Sequence, residues 1–349
     1  MKQNLHIALV TDAWLPQTNG VVRTLLKTQQ VAEDMGHNIT FITPHSFKTI
    51  PCPTYPEIRL SLFPGRKFKR LLKSTRPDAV HIATEGPLGI AARMFCRKHC
   101  IPFTTAYHTK FPEYVHARIR MPLKLTFAWL RFFHNGGKGV MVPTKSLIEE
   151  LDSRGFTNTR FWSRGVDLEL FQPTPDDRLY ENLPRPIMVC HGRVAVEKNL
   201  DAFLKLDMPG TKVIIGDGPQ RNQLEKKYPN AIFKGYLPDE EMVRHISSAD
   251  VMVFPSVTET YGHVVTEALA CNTPVAAFPV TGPGDTIGSA TQPVGALNLD
   301  LKQAVEEALK IDRSNCRPHA ETYTWQSATT DFINNLAPFN IDDFPALQS

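Results

Sequence analysis

The stretch from Asp250 to Ala270 constrains the fold more than any other part of the chain. Val251-Met-Val-Phe254 is a short apolar run, the pattern of a strand buried on both faces. A polar turn follows, with one glycine, Pro255-Ser-Val-Thr-Glu-Thr-Tyr-Gly262, and then a helical run from His263 to Ala270. Such a turn directs backbone N–H groups, here those of Thr260, Tyr261, Gly262, His263 and Val264, toward the positive end of the helix, where an anion can sit. Glu259 lies just before the helix, and Glu267 follows about two helical turns on. Carboxylates accept hydrogen bonds from hydroxyls, so the arrangement suits a ligand with phosphate in its middle and hydroxyls at both ends. A sugar nucleotide is such a ligand. The plainer alternative is that Glu259 complements the helix dipole while Glu267 faces water.

The same alternation runs through the chain. His6–Thr11 reads as a buried strand, Asp12–Gly20 as a loop, Val21–Met35 as a helix ending at Gly36, and His37–Thr43 as the next strand. Further strands are expected at 78–83, 102–107, 139–143, 187–191, around 212–215 and at 231–237. Strand–helix alternation argues a parallel α/β sheet, whose ligands bind at the carboxyl ends of the strands. Those ends carry Asn19 and Gly20, Glu85, His108, Gly192 with Arg193 and Lys198, and Gly216. Arg193 offers a planar fork and Lys198 a compact charge, a pair suited to a diphosphate; the alternative is a surface ion pair of Glu197. Phe171–Pro186 is rich in proline and charge and reads as a linker.

At 349 residues, 42% hydrophobic and 21% charged, a packed protein of two domains is expected. The formal net charge of +4 is too small to argue for a nucleic-acid partner. The sequence has no run of about 20 apolar residues and enters a strand too soon for a signal peptide. Its six cysteines lack zinc-type pairing, so reduced thiols and a cytoplasmic location are expected. Pro64-Gly-Arg-Lys-Phe-Lys-Arg70 is compactly basic, and Arg118–His134 mixes large apolar with basic residues. Either both are ordinary surface and core, or they favour an anionic membrane face.

Ser256–Pro274 resembles the E-x7-E signature of the retaining glycosyltransferases of family 4, and Gly192–Lys198 resembles that family's G-R-x-x-x-E-K motif. The continuation from Pro274 to Pro283 is similar to a subgroup of α-mannosyltransferases and sulfoquinovosyl- or glucosyl-lipid synthases. The motifs keep their order from about Leu5 to Phe332.

The resemblance implies an α/β GT-B fold, two Rossmann-like domains facing across a cleft. Residues 1–171 would form the acceptor domain, 172–186 the linker and 187–312 the donor domain. Residues 313–349 would form a segment whose helix crosses back to the first domain; the tail from Asn334 reads as loose.

It also implies roles. Arg193 and Lys198 meet the diphosphate, which the Asn19–Gly20 loop approaches, and Gly192 and Gly216 belong to donor-binding turns. Glu259 holds sugar hydroxyls and Glu267 the ribose. Tyr236 and Leu237 seat the base through backbone groups. His108 stands near the sugar C1 on the acceptor side, with Glu85 close by. Arg164 stands where many members carry Asn; it either adds charge near the diphosphate or pairs with Asp167. Tyr261, His263 and Cys271-Asn272 depart from common residues, which leaves donor choice open.

The reaction implied is hexosyl transfer with retention, mannose from GDP-mannose leading, to a lipid, lipid-linked or glycan acceptor at the cytoplasmic membrane face. No metal or other cofactor is expected, and the chain has no Asp-x-Asp signature. A sugar-nucleotide 2-epimerase and a non-catalytic sugar-nucleotide-binding module are the alternatives.

Overall fold

The computed structural model describes residues 4–17, 19–52, 55–113 and 120–348. The chain divides into a first unit, Met1–Arg164 with Trp325–Ser349, and a second, Gly165–Thr324.

In the first unit, β1 (His6–Val10), β2 (Asn38–Ile42), β5 (Ala79–Ile82), β6 (Thr104–Ala106), β7 (Gly139–Val142) and β8 (Thr159–Phe161) form one parallel sheet in the order β2-β1-β5-β6-β7-β8. β3 (Thr49–Cys52) and β4 (Tyr55–Ser61) pair as a separate antiparallel hairpin. Alternate strand residues enter two different cores. Ile7, Leu9 and Ala79 pack on one side of the sheet, and Ala8, Val10, Val80 and Ile82 on the other. That is why these strands are apolar throughout.

The connecting helices include α1 (Gly20–Asp34), α2 (Gly65–Thr75), α3 (Pro87–Lys98) and α4 (Leu123–His134). α1 starts where Asn19 Oδ1 accepts from the N–H groups of Val21 and Val22, both at 3.0 Å. It buries Val22, Leu25, Val31 and Ala32. The helix Trp325–Asn335 sets Phe332 against Trp162, ring centroids 4.9 Å apart, and packs Trp325 and Ala328 with Val31.

The tail is not loose. Phe339 N donates to Asp78 O at 2.8 Å, and Leu347 is buried in the same core as Phe68 and Leu72.

The second unit has one parallel sheet of β9 (Ile187–His191), β10 (Thr211–Ile215), β11 (Ile232–Gly235), β12 (Val251–Phe254), β13 (Val275–Ala277) and β14 (Gly295–Leu297), in the order β11-β10-β9-β12-β13-β14. Val189, Val213, Met252 and Val275 face one core, and Met188, Ile214, Val253 and Ala276 the other. Behind β12 comes α5 (His263–Ala270).

The expected domain boundaries shift. The chain leaves the first unit after Arg164, and residues 172–186 do not serve as a free linker. Phe171 and Tyr180 are buried in the second unit's core, Tyr180 Oη lies 2.6 Å from His245 Nδ1, and Thr174 N donates to Ser247 Oγ. Residues 313–324 also belong to this unit, where Cys316 and Ala320 are buried.

Candidate functional site

In the second unit the chain builds outward from β9 in both directions, so the order reverses between β9 and β12. Open α/β sheets bind ligands at the carboxyl ends of strands beside such a switch point. The two loops that leave it are tied together: Asn199, at φ +50°, donates from Nδ2 to Pro255 O at 3.1 Å.

Gly216 directly follows β10 at φ +130°, and a Cβ there would lie 2.0 Å from Gly192 O. Only glycine lets these two backbones approach. Gly262, at φ +82°, opens α5 with no side-chain cap, and a Cβ there would meet Phe254 Cζ at 3.3 Å.

Lys198 Nζ and Glu259 Oε2 make a 2.7 Å ion pair over this turn. Burial works against the ammonium charge, but the Glu259 carboxylate and its hydrogen bond raise the Lys198 pKa overall. Glu267 is not a solvated surface residue. It is 3% exposed, inside α5, with Oε2 3.5 Å from Nε2 of His191, itself 6% exposed. Arg193 is exposed on the loop after β9.

Thr260 and Tyr261 are buried, and the Tyr261 ring meets His263 edge-on at 5.2 Å. Tyr236 is 77% exposed and Leu237 partly buried, just past β11. They share the carboxyl edge with Gly192 but stand two strands from β9.

In the first unit, His108 follows β6. Its Nδ1 lies 3.3 Å from Arg164 Nη2, and its ring meets Trp162 edge-on at 5.5 Å. A guanidinium can only donate, so Nδ1 is the acceptor in this contact. Arg164 is buried. It donates from Nη1 to Trp162 O at 2.6 Å and to Ser163 O at 2.8 Å, which turns it onto the first unit's own backbone. Glu85 Oε1 lies 3.2 Å from Nε2 of the fully buried His134, whose Nδ1 is 2.8 Å from Thr105 Oγ1. Asn19 is engaged in capping α1, and Nδ2 donates to Gln17 Oε1 at 3.0 Å; Gly20 is the exposed first residue of that helix. Thr18, in the same loop, lies outside the described residues.

Sequence reasoning passed over Asp12 and His191. Asp12 is buried and accepts from Leu88 N at 2.8 Å, Gly89 N at 3.1 Å and Thr84 Oγ1 at 3.1 Å. Burial outweighs these donors and raises its pKa to about 6. The available signal was α3 itself, which opens on Gly86-Pro87 with no capping side chain of its own. For His191 the signal was a histidine at a strand end, directly before Gly192.

A second feature lies on the first unit's surface. Arg66, Lys67, Lys69 and Arg70 are exposed on α2, whereas Phe68 and Leu72 are buried beneath them. The aromatic exposed beside these charges is therefore Phe63, 96% exposed, and not Phe68. α4 buries Phe127, Leu130 and Phe133 and exposes Lys124, Leu125 and Phe132, so it is a core helix with a mixed edge. Arg118 and Ile119 lie outside the described residues. No helix among the described residues is long and apolar enough to cross a membrane.

Two units, each built on a parallel α/β sheet, one of them with the Lys198–Glu259 pair and the buried Glu267 beside its switch point, have the GT-B fold of glycosyltransferases. Comparisons with known proteins agree. Residues 18–170 match the family described as Glycosyltransferase Family 4, and residues 185–310 match Glycosyl transferases group 1. A GDP-mannose-dependent alpha-mannosyltransferase of Mycobacterium tuberculosis is 30% identical over 329 residues, 86% of this chain and 87% of that protein. A sulfoquinovosyl transferase of Arabidopsis thaliana is 29% identical over 350 residues, 86% of this chain and 67% of that one. A solved sucrose-phosphate synthase from Thermosynechococcus elongatus shares the fold, with a TM-score of 0.73 at 20% identity over 95% of this chain and 98% of that one. The chain belongs to glycosyltransferase family 4.

Proposed function

We propose that this glycosyltransferase moves a hexosyl group with retention, and without a metal, from a nucleoside diphosphate sugar to a lipid, lipid-linked or glycan acceptor. GDP-mannose is the leading donor, a choice supported by the mycobacterial relative's name. The observation that carries the reading is the Lys198–Glu259 pair above the uncapped start of α5. A diphosphate arriving at that helix end competes with Glu259 for the Lys198 ammonium. Lys198 and Arg193 then meet the leaving group as its charge develops, the positive charge that a metal supplies in other transferases. Glu259, released from Lys198, accepts from the sugar hydroxyls.

As the bond from C1 to the phosphate oxygen breaks, the acceptor oxygen bonds C1 on the same face and its proton passes to the departing phosphate. His108 and Glu85 are assigned to the acceptor side, and the Tyr236–Leu237 backbone completes the donor assignment within the second unit; Arg164, spent on the first unit's own backbone, is not assigned to the donor.

The acceptor reading is supported by the exposed bases of α2 beside Phe63. Each such charge near an anionic surface contributes about 1 kcal/mol. The four together hold the protein reversibly at the inner face of the cell membrane.

Incubation with GDP-mannose, UDP-glucose or UDP-sulfoquinovose, with and without anionic lipid vesicles, tests the whole reading. Transfer or slow donor hydrolysis supports a transferase, an isomerised sugar supports an epimerase, and unchanged donor supports a binding module. Co-sedimentation with anionic vesicles, lost in high salt and weakened when Arg66, Lys67, Lys69 and Arg70 are changed to Gln, supports the membrane acceptor. No binding to any vesicle moves the acceptor to a soluble glycan.

A further inference from the structure

We propose that Arg164 is the positioning residue for His108: its guanidinium holds the imidazole by Nδ1 and so fixes the ring's orientation at the carboxyl edge of the first sheet. The proposal rests on the reading that His108 stands beside the sugar C1, and it gives Arg164 a role within the first unit.

The strands bring the two residues together. β7 lies between β6 and β8. Tyr107 N, just past β6, donates to Met141 O, and Trp162 N, just past β8, donates to Val142 O, both at 2.9 Å. The segments that carry His108 and Arg164 therefore leave the sheet on either side of the end of β7, two strand spacings or about 10 Å apart. A long side chain spans that gap, and Arg164 Nη2 lies 3.3 Å from Nδ1 of His108.

Arg164 is itself held in place. It is 3% exposed, and Nη1 donates to Trp162 O at 2.6 Å and to Ser163 O at 2.8 Å. Its guanidinium carbon stands 4.2 Å from the centre of the fully buried Trp162 ring. A planar fork gripped by two carbonyls and an aromatic face keeps Nη2 pointing one way. The same Trp162 ring meets His108 edge-on at 5.5 Å, so arginine and histidine rest on one wall.

The chemistry of the contact is directional. The torsion that turns an imidazole is broad and roughly two-fold, so a histidine at the start of a loop can exchange the places of its two nitrogens. A guanidinium only donates, so it selects the placement in which an unprotonated Nδ1 faces it. A ring set before the donor arrives needs no ordering during the reaction. Arg164 acts through His108 and needs no contact with the sugar.

Two measurements on the full chain test this. In the first, the histidine ring nitrogens are isotope-labelled for NMR, and the His108 signals are identified by their loss in His108→Ala. Nδ1 of His108 is expected to give the shift of an unprotonated ring nitrogen in wild type, and to move toward the average of the two tautomers in Arg164→Met. A shift that Arg164→Met leaves unchanged overturns the proposal.

In the second, release of GDP from GDP-mannose is followed through a double-mutant cycle, with UDP-glucose in its place if GDP-mannose is not turned over. Arg164→Met is expected to lower kcat about tenfold, the worth of a hydrogen bond to a charged group, and to cost nothing further in the His108→Ala background. A purely structural role would lower kcat by the same factor in both backgrounds, and that outcome overturns the proposal. If Arg164→Met does not fold, Arg164→Lys replaces it, because it keeps the buried charge but loses the fork that reaches carbonyls and Nδ1 together. Wild-type kcat in His108→Ala overturns the reading of His108 and this inference with it. A loss in His108→Ala with wild-type kcat in the Arg164 variant overturns this inference alone.

Discussion

The two units reverse their chain order at comparable places and fill them in opposite ways. In the first, the reversal falls between β1 and β5, and the helix behind β5 is α3. Its N-terminus is occupied by the chain's own carboxylate, Asp12, which accepts from Leu88 N and Gly89 N. In the second, the reversal falls between β9 and β12, and α5 behind β12 starts at Gly262 with no side-chain cap. The nearby carboxylate, Glu259, is turned onto Lys198 instead. The same topology can therefore seat an anion or seal itself, depending on whether a side chain of the chain reaches the helix start first. This comparison supports the proposal that the donor diphosphate binds at the second unit.

The largest expected effect tests that assignment directly. Lys198→Ala removes the cation that pairs with Glu259, just before the uncapped start of α5. Loss of a charge-assisted contact costs about 1.5–3 kcal/mol, so nucleoside diphosphate affinity should fall by one to two orders of magnitude while circular dichroism stays unchanged. Wild-type affinity in calorimetric titration would remove Lys198 from the site and break the comparison at its open end.

The sealed end has its own signature in pH. Asp12 is raised from 3.8 to about 6, with burial the main cause. A folded state that holds this proton more tightly than the unfolded chain gains stability at low pH. The gain is full below about 4 and is lost as pH rises through about 6. Asp12→Asn cannot titrate, so the stability of wild type relative to Asp12→Asn should fall across that window, by up to about 2 kcal/mol. Urea denaturation of both proteins from pH 4 to 7 measures it. A flat difference would mean that Asp12 does not carry the burial that seals α3.

What the sequence disclosed and what it hid follow from the same distinction. The strand, turn and helix around Glu259 and Glu267 were legible because apolar runs, a turn glycine and helical spacing are local patterns. Asp12 and His191 were not, because their partners lie far along the chain, at Leu88 and Gly89 and at Glu267. Sheet order decides which distant residues meet, and no local period encodes it.

The linker expected at 172–186 and the loose tail failed for a related reason. Each looks polar or irregular on average, yet each is pinned by a buried residue, Tyr180 in one and Leu347 in the other. Composition averages over such anchors. The basic stretch at Arg66–Arg70 was legible as charge, but not which aromatic faced water, since Phe68 turned inward and Phe63 did not.

The smallest expected effect separates the two carboxylates of the open site. Glu259 pairs with Lys198, so an arriving diphosphate must displace it. Glu259→Gln weakens that competition and leaves Lys198 free to meet phosphate. Bare nucleoside diphosphate should then bind as well as in wild type, or up to a few-fold more tightly. The intact sugar donor should bind less well, because a neutral amide is a poorer acceptor for the sugar hydroxyls; the expected loss is about 1 kcal/mol, a typical net hydrogen bond. Glu267→Gln should behave in the opposite way, weakening the bare nucleotide through its ribose. Parallel titrations of nucleotide and sugar nucleotide against both variants provide the check. Equal loss of bare-nucleotide affinity in the two would show that Glu259 and Glu267 do not divide the ligand between sugar and ribose.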